Sequence, residues 1–450
     1  MISLDLATLA EIVGAESVAP GAGRFSGVTI DSRQSCDGML FVALKGENFD
    51  GHQFIEAAMS NGAVAALVEE PQDCAITQLK VADCKQAMAR LANHWRHHCD
   101  PLVVALTGSN GKTTVKEMLY QILDRKAPTL ATRGNFNNDI GVPLTLFRLS
   151  PEQTYAVIEM GANHKGEIAR LVEIAEPDIV YVNNVAAAHL AGFGSIQGVV
   201  EAKGEIYDWC GSEQRALFNV DEVASQYWRQ RCAAERTLDC GIDKPADVSA
   251  SWSMQETRLI IDFKYGGETS RSELAVVGEH NVRNALAAVS LALLAGLDLA
   301  EAAANLAGFS GVKGRLQILS GPAQSRLIDD SYNANPESLM AGIRVACSMP
   351  GEAWLALGDM GELGEDEVEL HREAGRGARR EGVHKLFGVG AMSAVASEEF
   401  GDGGSSYDDI ESMADAIRAQ IYPGVNLLVK GSRSAGMDRL VSLLAATNGE

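Results

Sequence analysis

The sequence predicts an α/β protein built from three domains. Apolar segments of strand length alternate with amphipathic segments of helix length along most of the chain, a rhythm typical of parallel strands joined by crossover helices. The alternation restarts twice, and 450 residues fit three domains at about 150 residues each. We expect the domains to span residues 1–85, 86–311 and 312–450.

The first domain is predicted to be a small α/β unit. An amphipathic helical pattern begins at Leu4, a second helical pattern covers "GHQFIEAAMSNGA", and glycine or proline punctuates each change. Three segments have the apolar character of strands: "FSGVTID", "MLFVAL" and "VAALVE".

The central domain is predicted to hold a doubly wound, mainly parallel sheet. Helical patterns start at Lys112 and His164 and cover "IQGVVEAKGEIYDWC", and each one separates two apolar strand-like segments. Residues 250–277 have the pattern of antiparallel strands, and a helix over "VRNALAAVSLALLAG" closes the domain. The predicted parallel strands are "LVVALT", "YAVIEM", "DIVYVNN" and "RALFNV".

Four strand and helix pairs predict a Rossmann-like third domain. Helices are expected after Pro336, over "DEVELHREAGRGARR" and from Ala435. The segment "SEEFGDGGSSYDD", residues 397–409, is rich in small and acidic residues and predicts a solvated loop. The strands are expected in "RLIDDSY", "WLALGDM", "KLFGVG" and "NLLVKG".

Composition excludes several functional classes. A hydrophobic share of 46% with 22% charged residues is that of an ordinary globular protein, and a net charge of −22 argues against nucleic-acid binding. The eight cysteines show no CxxC pair or metal-ligand spacing, so reduced structural thiols are expected. We find neither a basic leader nor an apolar run of about 18 residues, so we expect a cytoplasmic protein without membrane insertion.

The stretch "TGSNGKTT", residues 107–114, resembles a phosphate-binding loop with a shortened glycine spacing. It connects a buried strand to a helix, so its backbone amides are expected to point at an anion. Lys112 is placed to reach the terminal phosphates of a nucleotide, and the Thr113 hydroxyl is placed to reach Mg²⁺. The alternative is a tight strand-to-helix turn with an incidental lysine.

Polar residues follow the next two predicted strands of the central domain. Glu159 ends one strand, and a buried strand rarely ends in an acid, so Glu159 is a candidate Mg²⁺ ligand. Asn183, Asn184 and His189 follow the other strand, although His189 could equally be a structural histidine.

Two clusters of asparagine are weaker candidates. Asn135, Asn137 and Asn138 lie in one loop, and their amides could hold a polar substrate, although turns explain many asparagines. Asn281 and Asn284 begin a helix, where a cap would account for one and contact with a nucleotide base for the other.

Two basic residues are also ambiguous from spacing alone. Lys203 lies on a predicted helix, where a solvated face is the ordinary interpretation. Arg315 lies at a domain junction, where it could neutralise charge across a cleft or simply form an ion pair.

These motifs resemble those of the ATP-dependent Mur ligases, and the resemblance covers essentially the whole chain. The shortened glycine spacing is the form that this family uses. The motifs occur in family order: "TGSNGKTT", "NFNNDIGVPLT", "EMGANHKGEI", "NNVAAAHLAGFGS", "EAKGEI", "GEHNVRNALAA" and "GVKGRLQ".

Within the family, "DDSYNANPESL" and "LALGDMGELG" are similar to the branch that adds D-alanyl-D-alanine to UDP-N-acetylmuramoyl-tripeptide. The Asp-Asn-Pro-Arg stretch expected of the branch that adds a diamino acid does not occur. The resemblance therefore implies a monomeric ligase that forms an amide through an acyl phosphate, in the last cytoplasmic step of peptidoglycan precursor synthesis. It leaves open whether the third residue of the tripeptide is diaminopimelate or lysine.

The resemblance also implies roles for individual residues. Two Mg²⁺ ions would be held by Thr113, Glu159, His189 and a carbamylated Lys203, and catalysis would involve Lys112 and Arg315 with these metal ligands. The incoming dipeptide or nucleotide would lie near Tyr332, Asn333 and Asn335, and the uridine carrier near Ser32, Arg33 and the segment from Lys45 through Asp50 to His52. ATP would be bound by Thr107, Gly108, Ser109, Asn110, Gly111, Lys112, Thr113, Thr114, Asn281, Asn284, Arg315 and Asp330.

Three other functions remain open from the sequence. The chain could be a different amino-acid ligase of the same family, a P-loop ATPase or kinase, or a nucleotide-sugar-binding regulator without catalysis. Dependence of ATP turnover on a particular amine separates these possibilities.

Overall fold

The computed structural model describes residues 1–17, 23–46, 49–186, 190–255 and 257–445. It confirms the α/β class, with one two-stranded sheet and three larger sheets of five, nine and six strands among these residues. Each larger sheet lies inside one of the three expected ranges. The boundaries themselves stay a prediction, and helix α3 (Cys84–Cys99) runs across the one expected at residue 85.

The N-terminal sheet has the order β2-β7-β6-β5-β4, in which only β2 is antiparallel to its neighbour. Strands β1 and β3 form a separate antiparallel pair. The elements are β1 (Ser3–Asp5), α1 (Leu6–Val13), β2 (Glu16–Ser17), β3 (Arg24–Ser26), β4 (Val28–Thr29), β5 (Leu40–Val42), α2 (Ile55–Ser60), β6 (Ala65–Val68) and β7 (Thr77–Lys80).

The first helix begins two residues later than predicted. Leu4 pairs with Phe25 in the β1–β3 ladder, and the helix starts only after Asp5, whose carboxylate accepts a hydrogen bond from the Thr8 amide at 2.8 Å. An N-cap carboxylate satisfies an amide that the first turn leaves free, so Asp5 fixes the start of the helix. The helix predicted from His164 likewise starts later, at Glu167, after Gly166 with φ +82°.

The central sheet has the order β16-β15-β14-β13-β12-β11-β8-β10-β9. From β9 at one edge of the sheet, through β10, β8 and β11, to β14, all neighbouring strands pair in parallel. Strand β15 pairs antiparallel with both β14 and β16, as predicted for residues 250–277. The strands are β8 (Leu102–Thr107), β9 (Thr129–Ala131), β10 (Tyr155–Glu159), β11 (Ile179–Val182), β12 (Arg215–Asn219), β13 (Arg236–Gly241), β14 (Val248–Gln255), β15 (Arg258–Tyr265) and β16 (Glu268–Leu274).

Helices cover both faces of this sheet. Along β8, Val103 and Ala105 join one hydrophobic cluster, while Val104 and Leu106 join another on the opposite face. This alternation explains why the strand is apolar throughout, since both faces are buried. The helices are α4 (Lys112–Asp124), α5 (Gly141–Leu146), α6 (Glu167–Ala175), α7 (Leu190–Phe193), α8 (Ile196–Asp208), α9 (Ser225–Arg231), α10 (Glu279–Leu294) and α11 (Leu299–Leu306).

The order of the parallel strands reverses at β8. The chain leaves β8 for β9 and β10 on one side and then crosses to β11 on the other. Open α/β sheets bind ligands in the crevice that forms at such a reversal, beyond the carboxyl ends of the strands. Glu159 at the end of β10, Asn183 after β11 and the glycine loop after β8 all lie there.

The C-terminal sheet has the order β17-β18-β22-β19-β20-β21, and all pairs are parallel except β17 with β18. The strands are β17 (Gln317–Ser320), β18 (Arg326–Asp330), β19 (Ala353–Gly358), β20 (Lys385–Val389), β21 (Gly404–Tyr407) and β22 (Asn426–Lys430). The helices are α12 (Pro336–Ser348), α13 (Glu367–Glu381), α14 (Ala391–Phe400), α15 (Ile410–Gln420) and α16 (Met437–Leu444), the last starting two residues after Ala435.

The loop predicted for residues 397–409 is wrong. Residues 397–400 end helix α14, and Gly404–Tyr407 forms the edge strand β21, paired in parallel with β20. An edge strand is held by its backbone on one side only, so the sequence "GSSY" can pair without the apolar side chains that mark a central strand.

Among the described residues, no helix combines the length and the apolar character that crossing a membrane requires.

Replacing Trp228 with alanine should destabilise the central domain. Trp228 is fully buried, its indole N–H donates to the Val200 carbonyl at 2.9 Å, and its ring lies directly against Gly204. The lost burial and the cavity should cost about 3–5 kcal/mol of unfolding free energy. Urea denaturation followed by circular dichroism measures the shift in midpoint, with Trp252→Ala, at a 37% exposed position, as the control. Equal shifts in the two variants would contradict this account of the packing.

Candidate active site

The glycine loop between β8 and α4 has room only for glycine at its last position. Gly111 has φ +76°, and a Cβ atom there would lie 2.5 Å from the Asn284 Oδ1 and 2.6 Å from the Asn183 Nδ2. Gly108 has φ +149°, and its Cβ would lie 3.0 Å from the Asn183 Cβ. Both glycines are therefore required by conformation and by space.

A chain of buried amides supports this loop from behind. The Asn183 Nδ2 donates to the Asn110 carbonyl at 2.8 Å and to the Asn284 Oδ1 at 3.2 Å. The Asn284 Nδ2 donates to the Asn281 Oδ1 at 3.3 Å, and the Asn281 Nδ2 donates to the Val277 carbonyl at 2.8 Å. The expectation that one of Asn281 and Asn284 caps the helix is wrong, because α10 begins after Gly278 without a side-chain cap in the described part of the chain.

Asn184 also supports the glycine loop, through hydrogen bonds to its backbone amides. Its side-chain oxygen accepts a hydrogen bond from the Asn110 amide at 2.8 Å, and its carbonyl accepts one from the Ser109 amide at 3.0 Å. The Ser109 hydroxyl in turn accepts from the Ala186 amide at 2.9 Å. The segment after β11 thus fixes the shape of the glycine loop.

Two lysines bring positive charge to the floor of the crevice. The Lys112 ammonium donates to the Gly108 carbonyl at 2.6 Å, and burial lowers its pKa, opposed by Glu159 and reinforced by Arg315. Lys203 on α8 is 1% exposed, and burial, together with the charge of Lys112, lowers its pKa well below the ordinary lysine value. Among the described residues the Lys203 ammonium makes no hydrogen bond or ion pair, and it lies 5.8 Å from the centroid of the Phe193 ring. The interpretation of Lys203 as part of a solvated helix face is therefore wrong.

Glu159 is a buried carboxylate with one free oxygen. It is 2% exposed, and its Oε1 accepts a hydrogen bond from the Asn137 Nδ2 at 2.9 Å. Its Oε2 is buried and finds no hydrogen-bond partner among the residues described. A buried carboxylate oxygen without a donor fits a hard cation such as Mg²⁺, for which oxygen is the preferred ligand.

The Thr113 hydroxyl is the described neighbour suited to the same cation, since it lines the cavity that Glu159 also lines. His189 lies outside the described residues. Within the described ranges, no group of three or more histidine, cysteine, aspartate or glutamate side chains forms a metal cluster. A cation here would therefore depend on few protein ligands and on the phosphates of a nucleotide, as is usual for Mg²⁺.

The C-terminal domain closes the crevice on its open side. The Asn335 Nδ2 donates to the Asn110 Oδ1 at 3.0 Å, while the Asn335 Oδ1 caps α12 by accepting a hydrogen bond from the Ser338 amide at 2.8 Å. The Arg315 guanidinium carbon lies 4.2 Å from the centroid of the Tyr332 ring, and Arg433 contacts the same ring at 5.2 Å. The ring thus holds the Arg315 side chain in a fixed direction at the mouth of the site.

A cavity of about 430 Å³ lies between the two domains. It collects most of the central and C-terminal residues predicted from the sequence. The predicted residues that line it are Ser109, Asn110, Lys112, Thr113, Asn135, Asn138, Glu159, Lys203, Arg315, Tyr332, Asn333 and Asn335.

Other predicted nucleotide residues lie behind this lining. Thr107, Gly108, Gly111, Thr114, Asn281 and Asn284 belong to the loop or its support. Asp330 is 7% exposed and pairs with the Lys430 ammonium, which also donates to the Asn333 carbonyl at 3.0 Å. Burial raises the pKa of Asp330, and Lys430 opposes the shift. Asp330 thereby anchors the residues that do face the cavity.

The predicted uridine-carrier residues are located in the loops and short turns that connect the strands of the N-terminal sheet, and they do not line this cavity. His52 Nε2 accepts hydrogen bonds from the Glu69 and Glu70 amides at 3.0 and 3.3 Å, so the proton sits on Nδ1 and is donated to Asp50 at 2.6 Å. Asp50 also forms an antiparallel bridge with Lys45.

Ser32 and Arg33 differ in exposure. Ser32 is buried, and its carbonyl accepts a hydrogen bond from the Asn61 side chain at 2.7 Å. The Arg33 side chain is 86% exposed, and its guanidinium lowers the pKa of Asp31 to about 2. Arg33 is therefore an accessible cation of this group.

Sequence and structure comparisons cover nearly all of the chain. Three family models match: "Mur ligase family, catalytic domain" at residues 24–96, "Mur ligase middle domain" at 106–292, and "Mur ligase, glutamate ligase domain" at 314–433. The UDP-N-acetylmuramoyl-tripeptide--D-alanyl-D-alanine ligase of Escherichia coli K12 is 40% identical over 449 residues, 99% of both chains. The chain belongs to the Mur ligase family.

Solved structures resemble this Mur ligase along its whole length. A crystal structure of MurF from Acinetobacter baumannii has a TM-score of 0.91 and 34% identity, and covers 98% of each chain. MurF ligase from Thermotoga maritima in complex with ADP has a TM-score of 0.81 and 27% identity, covering 93% of this chain and 96% of that one.

Several residues of the Mur ligase cavity either have a different role from the predicted one or were not predicted from the sequence. Asn137 holds Glu159, and Asn163, Glu167, Arg170 and Ser338 also line the cavity. Asn163 and Glu167 belong to the same "EMGANHKGE" stretch that supplied Glu159. Their position directly after a central strand was a usable signal, because ligands gather at strand ends. Arg170, a turn into α6, carries no such signal.

Replacing Gly111 with alanine should impair nucleotide binding by the Mur ligase. The new methyl group would clash with Asn183 and Asn284, and it would also strain a residue at positive φ. We expect ADP affinity to fall at least about tenfold, roughly 1.4 kcal/mol, in isothermal titration calorimetry. Gly296→Ala is the matched control, since Gly296 has φ +100° with nothing within 4 Å. A similar loss in both variants would mean that strain, and not the amide support, is responsible.

Proposed function

We propose that this Mur ligase uses ATP to join D-alanyl-D-alanine to the peptide carboxylate of UDP-N-acetylmuramoyl-tripeptide, in the synthesis of peptidoglycan precursors. The observation that carries the proposal is the cavity itself, where the glycine loop, two buried lysines, Glu159 and Arg315 converge. Full-length similarity to ligases named for this reaction supports the substrate assignment.

Amide formation requires the carboxylate to be activated first. An ionised carboxylate is a poor electrophile, so one of its oxygens attacks the γ-phosphorus of ATP, and ADP leaves. The amine of the dipeptide then attacks the carbon of the acyl phosphate, loses a proton, and inorganic phosphate is expelled. The oxygen that the carboxylate loses therefore departs with the phosphate.

Charge compensation is the main contribution of the protein to this reaction. The carboxylate and the triphosphate are both anions and must meet in line, so their repulsion raises the barrier. Lys112 from the glycine loop and Arg315 from the opposite domain place cations on two sides of the meeting point. They act in a partly dehydrated cleft, where fixed charges interact more strongly than in water.

Glu159 and Thr113 would hold Mg²⁺ against the nucleotide phosphates. When bound, Mg²⁺ neutralises charge on the phosphates of ATP. The free Oε2 of Glu159 supports this assignment, and the hydrogen bond from Asn137 fixes the carboxylate in position. A second Mg²⁺ with His189 as ligand remains part of the proposal.

Lys203 is proposed to carry a carbamate. The neutral amine attacks carbon dioxide, forms an N–C bond and releases one proton, which turns a cation into an anionic oxygen donor. Burial lowers the pKa of Lys203, so the reactive neutral amine is populated at a lower pH than in an ordinary lysine. A free ammonium here would face Lys112, whereas a carbamate would attract it and could share the metal.

We also propose that the chain works as a monomer in the cytoplasm, where ATP and nucleotide-linked sugars are available. The N-terminal domain, ending near residue 85, would hold the uridine carrier. Residues 86–311 would hold ATP, and residues 312–450 would hold the dipeptide and part of ATP. The placement of the three larger sheets supports this division.

Phosphate release should depend on the dipeptide. We expect release with ATP, Mg²⁺ and UDP-N-acetylmuramoyl-tripeptide only when D-alanyl-D-alanine is present, together with a product heavier by one dipeptide residue in mass spectrometry. Single amino acids and no amine are the controls. Release with another amine would assign a different ligase of the family, and release without any amine would indicate an ATPase.

Replacing Lys203 with alanine should abolish ligation and leave a site that small acids can fill. We expect at least about a hundredfold loss of kcat, with partial recovery in acetate or propionate, because the carboxylate replaces the carbamate. Lys126→Ala is the control, since Lys126 lies exposed at the far end of α4 and pairs with Glu301. Activity that is unaffected by the Lys203 change would remove this residue from the mechanism.

A further inference from the structure

Side-chain contacts hold the C-terminal ends of α8 and α9 next to each other, outside the cavity. Arg231, the last residue of α9, forms a two-point ion pair with Asp208, the last residue of α8, with the Nε to Oδ1 distance at 2.7 Å. One turn back along α9, Trp228 packs against Gly204 of α8 and bonds to the Val200 carbonyl. The two helix ends therefore stay in fixed register.

A cysteine follows each of these helix ends. Cys210 lies two residues after Asp208, and Cys232 lies directly after Arg231. Their side chains interact with each other, and both residues belong to or pack against the same hydrophobic cluster. Cys210 is 5% exposed, while Cys232 is half-buried and reaches solvent. All eight cysteines lie in the described part of the chain, and all are free.

We propose that Cys232 and Cys210 form an oxidation site, in which Cys232 reacts with a hydroperoxide and Cys210 converts the product to a disulfide. The pairing has the arrangement of redox-sensing cysteines, with one accessible thiol next to a buried resolving thiol. Because the ion pair between Arg231 and Asp208 holds the neighbouring residues together, the two cysteines are already close enough that an S–S bond of about 2.05 Å needs only local movement.

The local charges favour Cys232 as the attacking sulfur. The interaction with Cys210, the Ala234 amide and the nearby Arg229 lower the pKa of Cys232, although burial opposes them. The same contact and burial raise the pKa of Cys210. The thiolate is the reactive form of cysteine, and Cys232 is also the more exposed of the two thiols, so Cys232 is the one that reacts first.

The chemistry balances in two steps. The Cys232 thiolate attacks one oxygen of the hydroperoxide, breaks the O–O bond and becomes a sulfenic acid, while hydroxide or alkoxide leaves. The Cys210 sulfur then attacks the sulfenic sulfur, the S–O bond breaks, and the hydroxyl leaves as water with the Cys210 proton. Two thiols are oxidised by two electrons, and one hydroperoxide is reduced.

Other cysteines of the chain provide an internal comparison. Burial raises the pKa of Cys36, Cys347 and Cys99, in the last case to about 11. Burial also raises the pKa of Cys84 and Cys240 to about 12. Cys347 is partly exposed like Cys232. Comparing the reaction rates of these two cysteines therefore separates the effect of the local environment from the effect of access to solvent.

Peroxide treatment of the reduced full-length protein tests the proposal. With stoichiometric hydrogen peroxide, we expect the protein to lose two hydrogens in mass. A non-reducing tryptic digest should join peptide 204–215 to peptide 232–236. Dithiothreitol should separate them again. Cys232 should react at least about tenfold faster than Cys347. Disulfides to other cysteines, or equal reaction of Cys232 and Cys347, would overturn the proposal.

Single substitutions assign the order of events. In Cys210→Ser, a sulfenic acid should accumulate at Cys232 and be trapped there by a dione probe, whereas Cys232→Ser should form no disulfide at Cys210. Cys347→Ser, the matched control, should oxidise like the wild type. Trapping at Cys210 in place of Cys232 would overturn the assigned roles. The wild-type peptide map tests the disulfide even if a variant folds poorly.

Discussion

The site depends on one steric constraint, the space that buried amides leave for the glycine loop. Asn183 and Asn284 lie so close to Gly111 that any side chain there would displace them. Asn183 follows β11 and Asn284 belongs to α10, so two separate elements of the central domain must be in place before the loop takes its shape. The glycine loop can be short in this fold because residues at neighbouring strand ends, and not additional glycine turns, hold it in shape. The amides that face the ligand are therefore positioned before it arrives, which reduces the entropy lost on binding.

The charges of the cleft contrast with those of the whole chain. The protein carries a net charge of −22, yet the cations Lys112 and Arg315 line the same cavity as one buried carboxylate, Glu159. Burying cations without an anion is costly: burial lowers the pKa of Lys112 and of Lys203, and a neighbouring cation adds to each shift. A nucleotide triphosphate supplies the missing negative charge. Because Arg315 comes from the opposite side of the cleft, complete compensation also requires the two domains to meet, as they do through Asn335 and Asn110. Binding, closure and catalysis are thereby coupled by the same electrostatic requirement.

Much of this arrangement was predictable from the sequence, and the failures have physical causes. The parallel sheet, the glycine loop and Glu159 follow from periodicity and from residue types at strand ends. Lys203 could not be assigned from the helix that carries it, because burial depends on the packing of that helix and not on its own sequence. Asn281 and Asn284 were placed correctly at a helix start, but their role in supporting the loop appears only when α10 is packed beside β11. The edge strand β21 was missed because backbone pairing at an edge needs no apolar pattern.

The most direct measurement follows an oxygen atom from the tripeptide to the released phosphate. UDP-N-acetylmuramoyl-tripeptide labelled with ¹⁸O in the reacting carboxylate should be incubated with ATP, Mg²⁺ and D-alanyl-D-alanine, and the phosphate should be analysed by mass spectrometry or by ³¹P NMR. Activation by phosphorylation predicts one ¹⁸O atom in each phosphate released, with the other retained in the amide carbonyl. Unlabelled phosphate accompanying labelled amide product would show that ATP is cleaved without forming the acyl phosphate, and the account of the cleft as a carboxylate-activating site would be contradicted.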